Sequence, residues 1–222
     1  MLPEPSTIRV KICCMASIAE AWMAIRHGAS AVGLVSAMPS GPGPIPEEKI
    51  AEIAAALPPA VGSFLLTSKQ QACAIIAQQR RCGVNTIQIC DRVEPGTHEE
   101  LRAALPGVSI VQVVHVMGEE ALEAAREVAP HVNGILLDSG NPLLPRKELG
   151  GTGRTHNWRI SRRIVEAVDA PIFLAGGLRP DNVAEAIRVV RPFAVDVCSG
   201  VRTNGKLDQA KLEAFFVAVR GA

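Results

Sequence analysis

The chain has 222 residues, 48% of them hydrophobic and 3% aromatic, with 23 basic and 22 acidic side chains for a formal net charge of +1. That length supports one full core, and the even charge balance supplies neither the basic face that nucleic acid requires nor a patch for an anionic membrane. Partners are therefore expected to be small molecules.

At the start, MLPEPSTIRV (1–10) lacks a basic segment followed by an apolar one, and no apolar run in the chain is long enough to span a bilayer. A cytoplasmic protein is expected. The six cysteines, Cys13, Cys14, Cys73, Cys82, Cys90 and Cys198, show no paired CxxC spacing. They read as reduced thiols rather than a disulfide framework or a structural zinc site.

Eight short runs rich in Val and Ile follow in chain order: RVKIC (9–13), AVGLVS (31–36), AVGSFLL (60–66), TIQIC (86–90), SIVQVVHV (109–116), GILLDS (134–139), PIFLAGG (171–177) and FAVDVCSG (193–200). They are apolar without clean alternation, as parallel strands covered on both faces are. Between them lies helical periodicity, at Ile50, Ile53, Ala54 and Leu57, at Val183, Ala186, Ile187 and Val190, and at Leu212, Phe215, Phe216 and Val219. Ser17 with Glu20, and Thr97 with Glu100, have capping-box spacing, and Pro180, Asp181 and Asn182 open the helix after the seventh strand.

Eight strand-then-helix units predict an α/β fold, a single-domain (β/α)8 TIM barrel over 1–222, with an open doubly wound sheet as the alternative. The stretch MPSGPGPIP (38–46) is a loop after the second strand, too short to divide domains.

Active sites of such barrels gather at the C-terminal ends of the strands. Here those ends carry Cys13 and Cys14, Ser36, residues 63–67, Cys90 and Asp91, His115, Asp138 and Ser139, Gly176 and Gly177, and Cys198, Ser199 and Gly200. Two glycine-bearing ends are adjacent in a barrel, LAGGL (174–178) with Ala175, Gly176 and Gly177, and CSGV (198–201) with Ser199, Gly200 and Val201. Glycine lets backbone N–H groups approach an anion, and this pair of strand ends is the usual phosphate site of the fold. Gly151, Thr152 and Gly153 of GGTGRTHNW (150–158) add donors from the loop after the sixth strand.

Asp138 ends the apolar run GILLD, where burial raises a carboxyl pKa and suits it to general acid work. Cys13 ends RVKIC and suits a general base if Lys11 or another cation lowers its pKa. Asp196 reads as a hydrogen-bonded structural carboxylate on the same side of its strand as Cys198. Trp22 and Trp158 read as helix-packing residues. A second possibility is a soft-metal site where Cys13, Cys14, Cys90, Cys198 and His115 converge, although Cys13 and Cys14, as strand neighbours, would point to opposite sides.

The blocks VKIC (10–13), ILLD (135–138), GGTG..HNW (150–158), LAGGLRPDNVAEAI (174–187) and RPFAVDVCSGVRTNGKLD (191–208) make the chain resemble the phosphoribosylanthranilate isomerase family nearly end to end. The resemblance implies an Amadori rearrangement of an N-(5-phosphoribosyl) amine without metal or cofactor, with Asp138 as general acid and Cys13 as general base. Lys11 and the three glycine segments would hold the phosphorylated substrate, in a monomer or homodimer.

This sequence departs from the family pattern on the amine side. Cys14 stands where the family has glycine after the base, and SAMPSGPGP (36–44) carries no arginine where the family has one facing the anthranilate carboxylate. Cys90 replaces a histidine and Gln112 a lysine. Arg154 and Arg92 are the candidates to replace the missing arginine. A non-catalytic phosphosugar-binding paralogue, or an isomerase for a different phosphoribosyl amine, is the competing reading.

Overall fold

A computed structural model of the chain describes residues 7–222, so the reading of the first six residues lies outside it. Among the described residues, eight parallel strands form a closed barrel in sequence order. They are β1 (Arg9–Ile12), β2 (Ala31–Val35), β3 (Gly62–Thr67), β4 (Thr86–Ile89), β5 (Ser109–His115), β6 (Gly134–Asp138), β7 (Ile172–Leu174) and β8 (Ala194–Val197). The last strand closes on the first, with Lys11 opposite Asp196 and Ile12 opposite Val197. The open sheet is thereby excluded.

Each expected strand is present, but most end one to three residues early. Their chemistry continues past the ladder while the backbone turns. Residues 175–177 leave β7 because Gly176 and Gly177 adopt φ of +83° and +61°, which frees their N–H groups from the sheet.

Helices α1 (Ile18–His27), α2 (Glu47–Ala55), α3 (Ala72–Cys82), α4 (Thr97–Ala104), α5 (Glu120–Val128), α6 (Trp158–Ala167), α7 (Val183–Val190) and α8 (Gln209–Arg220) wrap the barrel. A short hairpin, β9 (Arg202–Thr203) and β10 (Lys206–Leu207), follows β8. Ser17 caps α1 by accepting from Glu20 N, as its spacing predicts. Thr97 does not cap α4: it is the first helical residue, behind a left-handed Gly96, and its hydroxyl donates to Gln70 O instead.

Burial divides the strand side chains in two. Ile12, Val32, Leu34, Leu65, Ile87, Ile135, Leu137 and Val195 join the layer between barrel and helices, while Cys13, Ala31, Val35, Phe64, Leu66, Cys90, Val113 and Leu136 fill the interior. The two faces of each strand are thus both apolar. Trp158 packs on the outer layer, whereas Trp22 is exposed on α1 rather than packed. No helix among the described residues is long and apolar enough to cross a membrane.

Candidate active site

Lys11 and Cys13 point inward from β1 because side chains two apart share a face. Room for both comes from Gly33 on β2, where a Cβ would lie 2.7 Å from Cys13 Sγ and 3.1 Å from Lys11 Nζ. After Cys13 the chain turns sharply, since Cys14 adopts a left-handed φ of +64°, a conformation that disfavours any side chain. The turn is braced from the hairpin: Arg202 donates to the carbonyls of Cys13 and Cys14 and pairs with Glu20. Glu20 in turn accepts from the backbone of Ala16 and Leu207. Burial alone would raise the Glu20 pKa, but the Leu207 N–H and Arg202 hold it below the usual value.

Cys13, Cys14, Asp138, Gly151, Thr152, Gly153, Ala175, Gly176, Gly177, Asp196, Cys198 and Ser199 all line one cavity at the C-terminal end of the barrel. Burial raises the Asp138 pKa above the ordinary carboxyl value, against the Ser139 N–H bond at 2.7 Å and the charge of His115, which lower it. Burial thus favours the protonated, proton-donating form of Asp138.

Three expected binding residues lie outside the cavity lining. Lys11 sits fully buried beneath the floor, its Nζ 2.9 Å from Asp196 Oδ2. Burial would lower its pKa, yet Asp196 holds it above the ordinary value, so Lys11 is a cation committed to Asp196. Gly200 packs its Cα against the Leu178 carbonyl, and Val201 is buried in the core. They shape the turn that presents Ser199. Asp196 is structural, as expected, but one oxygen is spare: Oδ1 has no hydrogen-bond partner, leaving an acceptor at a cavity-lining position.

Cys13 and Cys14 both line the cavity, which corrects the expectation of opposite faces. The strand ladder stops at Ile12, and the left-handed turn swings Cys14 back to the mouth. Among the described residues no group of three or more His, Cys, Asp or Glu side chains is arranged to hold a metal ion. His115 lies on a neighbouring cavity with Arg92 and His98, and its Nε2 meets the Cys90 carbonyl at 3.1 Å.

The 38–46 loop contributes Met38, Ser40, Gly41 and Pro42 to the cavity, which Leu66, Gln88 and Leu149 also line. Sequence reading marked this loop for the arginine it lacks, without naming these four lining residues. Their only signal is the Pro/Gly-rich composition, and their approach depends on tertiary contacts: Ser40 donates to Lys147 O at 2.6 Å and Arg146 to Pro39 O at 3.0 Å. Neither proposed substitute for the missing arginine is at hand. Arg154 turns to Glu148 and is exposed, and Arg92 belongs to the neighbouring cavity.

A model of the family described as N-(5'phosphoribosyl)anthranilate (PRA) isomerase matches residues 10–218. The N-(5'-phosphoribosyl)anthranilate isomerase of Haloferax volcanii is 38% identical over 216 residues, covering 96% of this chain and 94% of the relative. Isomerase 2 of Methanosarcina mazei is 34% identical, covering 94% and 92%. Among solved structures, phosphoribosyl anthranilate isomerase from Thermotoga maritima superposes with a TM-score of 0.81 at 31% identity, covering 97% of this chain and all of that one. A phosphoribosyl anthranilate isomerase in complex with reduced 1-(o-carboxyphenylamino)-1-deoxyribulose 5-phosphate superposes with a TM-score of 0.79 at 29% identity, with the same coverage. The barrel, its mouth and these relatives converge, and the chain belongs to the N-(5'-phosphoribosyl)anthranilate isomerase family.

Proposed function

We propose that the enzyme isomerises an N-(5-phosphoribosyl) amine, anthranilate being the favoured amine, to the 1-amino-1-deoxyribulose 5-phosphate. Asp138 protonates the furanose ring oxygen, so the ring C–O bond breaks and a Schiff base forms. Cys13, as general base, removes the C2′ proton; the electron pair moves into the enolamine, which tautomerises to the ketone. The N–H groups of the 151–153 segment, of Gly176 and Gly177, and of Ser199 hold the phosphate, while the Ala175 N–H is spent on Leu137 O, and this anchor orients the sugar between acid and base.

The observation that carries the reading is one cavity holding a buried acid, a thiol and three glycine-bearing turns. The Met38, Leu66 and Leu149 side suits the flat apolar body of an aromatic amine. Free cysteines throughout support a reducing, cytoplasmic setting.

Cys13→Ala and Asp138→Asn are each expected to reduce kcat by at least about a hundredfold, as the loss of a proton-transferring group does. Fluorescence of the anthranilate substrate reads this directly. Because the acid must hold its proton, ionisation of Asp138 at its raised pKa is expected to shape the wild-type kcat/KM–pH profile, a dependence that Asp138→Asn abolishes. Phosphate-dependent thermal stabilisation with no turnover in the wild type would reject catalysis on this amine and favour a binding paralogue.

A further inference from the structure

Two thiols meet at the barrel mouth without a role in the acid–base chemistry. Cys14 follows β1 and Cys198 follows β8, yet Cys14 Sγ lies 2.6 Å from Cys198 Sγ. The strands that bring them together are paired at Ile12 and Val197. Only about half an ångström of approach separates the present contact from a bond of about 2.05 Å.

The two sulfurs are also unlike. The contact with Cys14 lowers the Cys198 pKa, and the Arg202 charge adds to that effect against burial. Hydrogen bonds with Cys13 and Cys198, then burial, raise the Cys14 pKa. One member is therefore the better nucleophile, and the other retains its proton beside it.

We propose that Cys14 and Cys198 form a peroxide-responsive dithiol that closes into a disulfide across the seam between the first and last strands, leaving Cys13 a free thiol. The Cys198 thiolate attacks hydrogen peroxide: an S–O bond forms, the O–O bond breaks, and hydroxide leaves, giving the sulfenic acid. Cys14 then attacks that sulfur. The S–S bond forms, the S–O bond breaks, and the hydroxyl departs with the Cys14 proton as water, so two thiols are oxidised as one peroxide is reduced. The bridge spans nearly the whole chain and staples the barrel where its ends meet.

The test treats the full-length protein with stoichiometric hydrogen peroxide, alkylates it, and separates monomer from species bridged through the exposed Cys73. Tryptic mapping of the monomer is expected to link peptide 12–26 to peptide 189–202, two hydrogens lighter than the pair and released by dithiothreitol. The link persists in Cys13→Ala and is absent in Cys14→Ser. Cys14→Gly, which suits the left-handed backbone, removes the same thiol should the serine variant fail to fold. Sulfenic or sulfinic acid at Cys198 with no link, or a link that survives loss of the Cys14 thiol, overturns the proposal. A bridged protein that melts no higher than the reduced one overturns the staple.

Discussion

At Gly150 the backbone stands at φ +139°, and a Cβ there would sit 2.6 Å from Asp138 Oδ2. The residue is a positioning glycine: its missing side chain is the space that the acid occupies. Gly150→Ala is expected to push the Asp138 carboxyl aside and lower kcat about tenfold or more, equivalent to about 1.4 kcal/mol or more of lost transition-state stabilisation, while the circular dichroism spectrum stays that of the wild type. That Asp138 and Cys13 stand at the cavity was legible in sequence because each ends an apolar run. The part played by Gly150 was not, because a glycine seen alone does not reveal that a carboxylate from another segment lies against it. Cys14 misled for a related reason, since alternation along a strand holds only while the backbone remains extended.

At the scale of elements, the long connection from β6 to α6 carries much of the cavity wall, and His156 ties its two ends. Its Nδ1 meets Ser139 Oγ at 3.0 Å just after β6, and its Nε2 meets Ser161 Oγ at 2.7 Å within α6. Burial depresses the His156 pKa from 6.5 to about 4. The folded protein therefore holds the neutral ring where the unfolded chain would take up a proton. The resulting stabilisation is complete above about pH 6.5 and is lost as pH falls from there through about 4, to the extent of about 3 kcal/mol. Thermal melts from pH 7 to pH 4 are expected to decline more steeply for the wild type than for His156→Gln. An equal slope would remove His156 as the cause. Elements themselves were legible from hydrophobic runs, and α1 from its cap. Their exact ends were not, because departure from the ladder depends on positive-φ glycines and on partners in neighbouring strands.

For the whole molecule, the seam between β1 and β8 makes the sheet a barrel, and it carries a buried ion pair. Lys11 and Asp196 face each other in register across it, both inside the barrel. Removing one partner strands a charge in a low-dielectric interior, so Lys11→Met is expected to cost about 3–5 kcal/mol in urea unfolding. Lys11→Met combined with Asp196→Leu should recover most of that loss, because two apolar side chains leave no charge unpaired. Recovery absent from the double variant would show that the lysine stabilises by packing rather than by charge. The fold class was legible from eight repeating units, but the composition of the seam was not, since register across chain ends has no local sequence signal.

The same seam imposes an order of events on biosynthesis. Cys13 emerges from the ribosome well before Ala175 to Ser199. A nascent chain halted before β8 has an unpaired β1 edge and lacks Asp196, Val197, Cys198 and Ser199 from its cavity wall. It therefore has neither a closed sheet nor a complete cradle for a phosphate. Arg9 must find Ala194, a contact of very long sequence separation that is among the slowest to form. Competence in this protein arrives late and all at once: the step that seals the sheet is also the step that assembles the pocket.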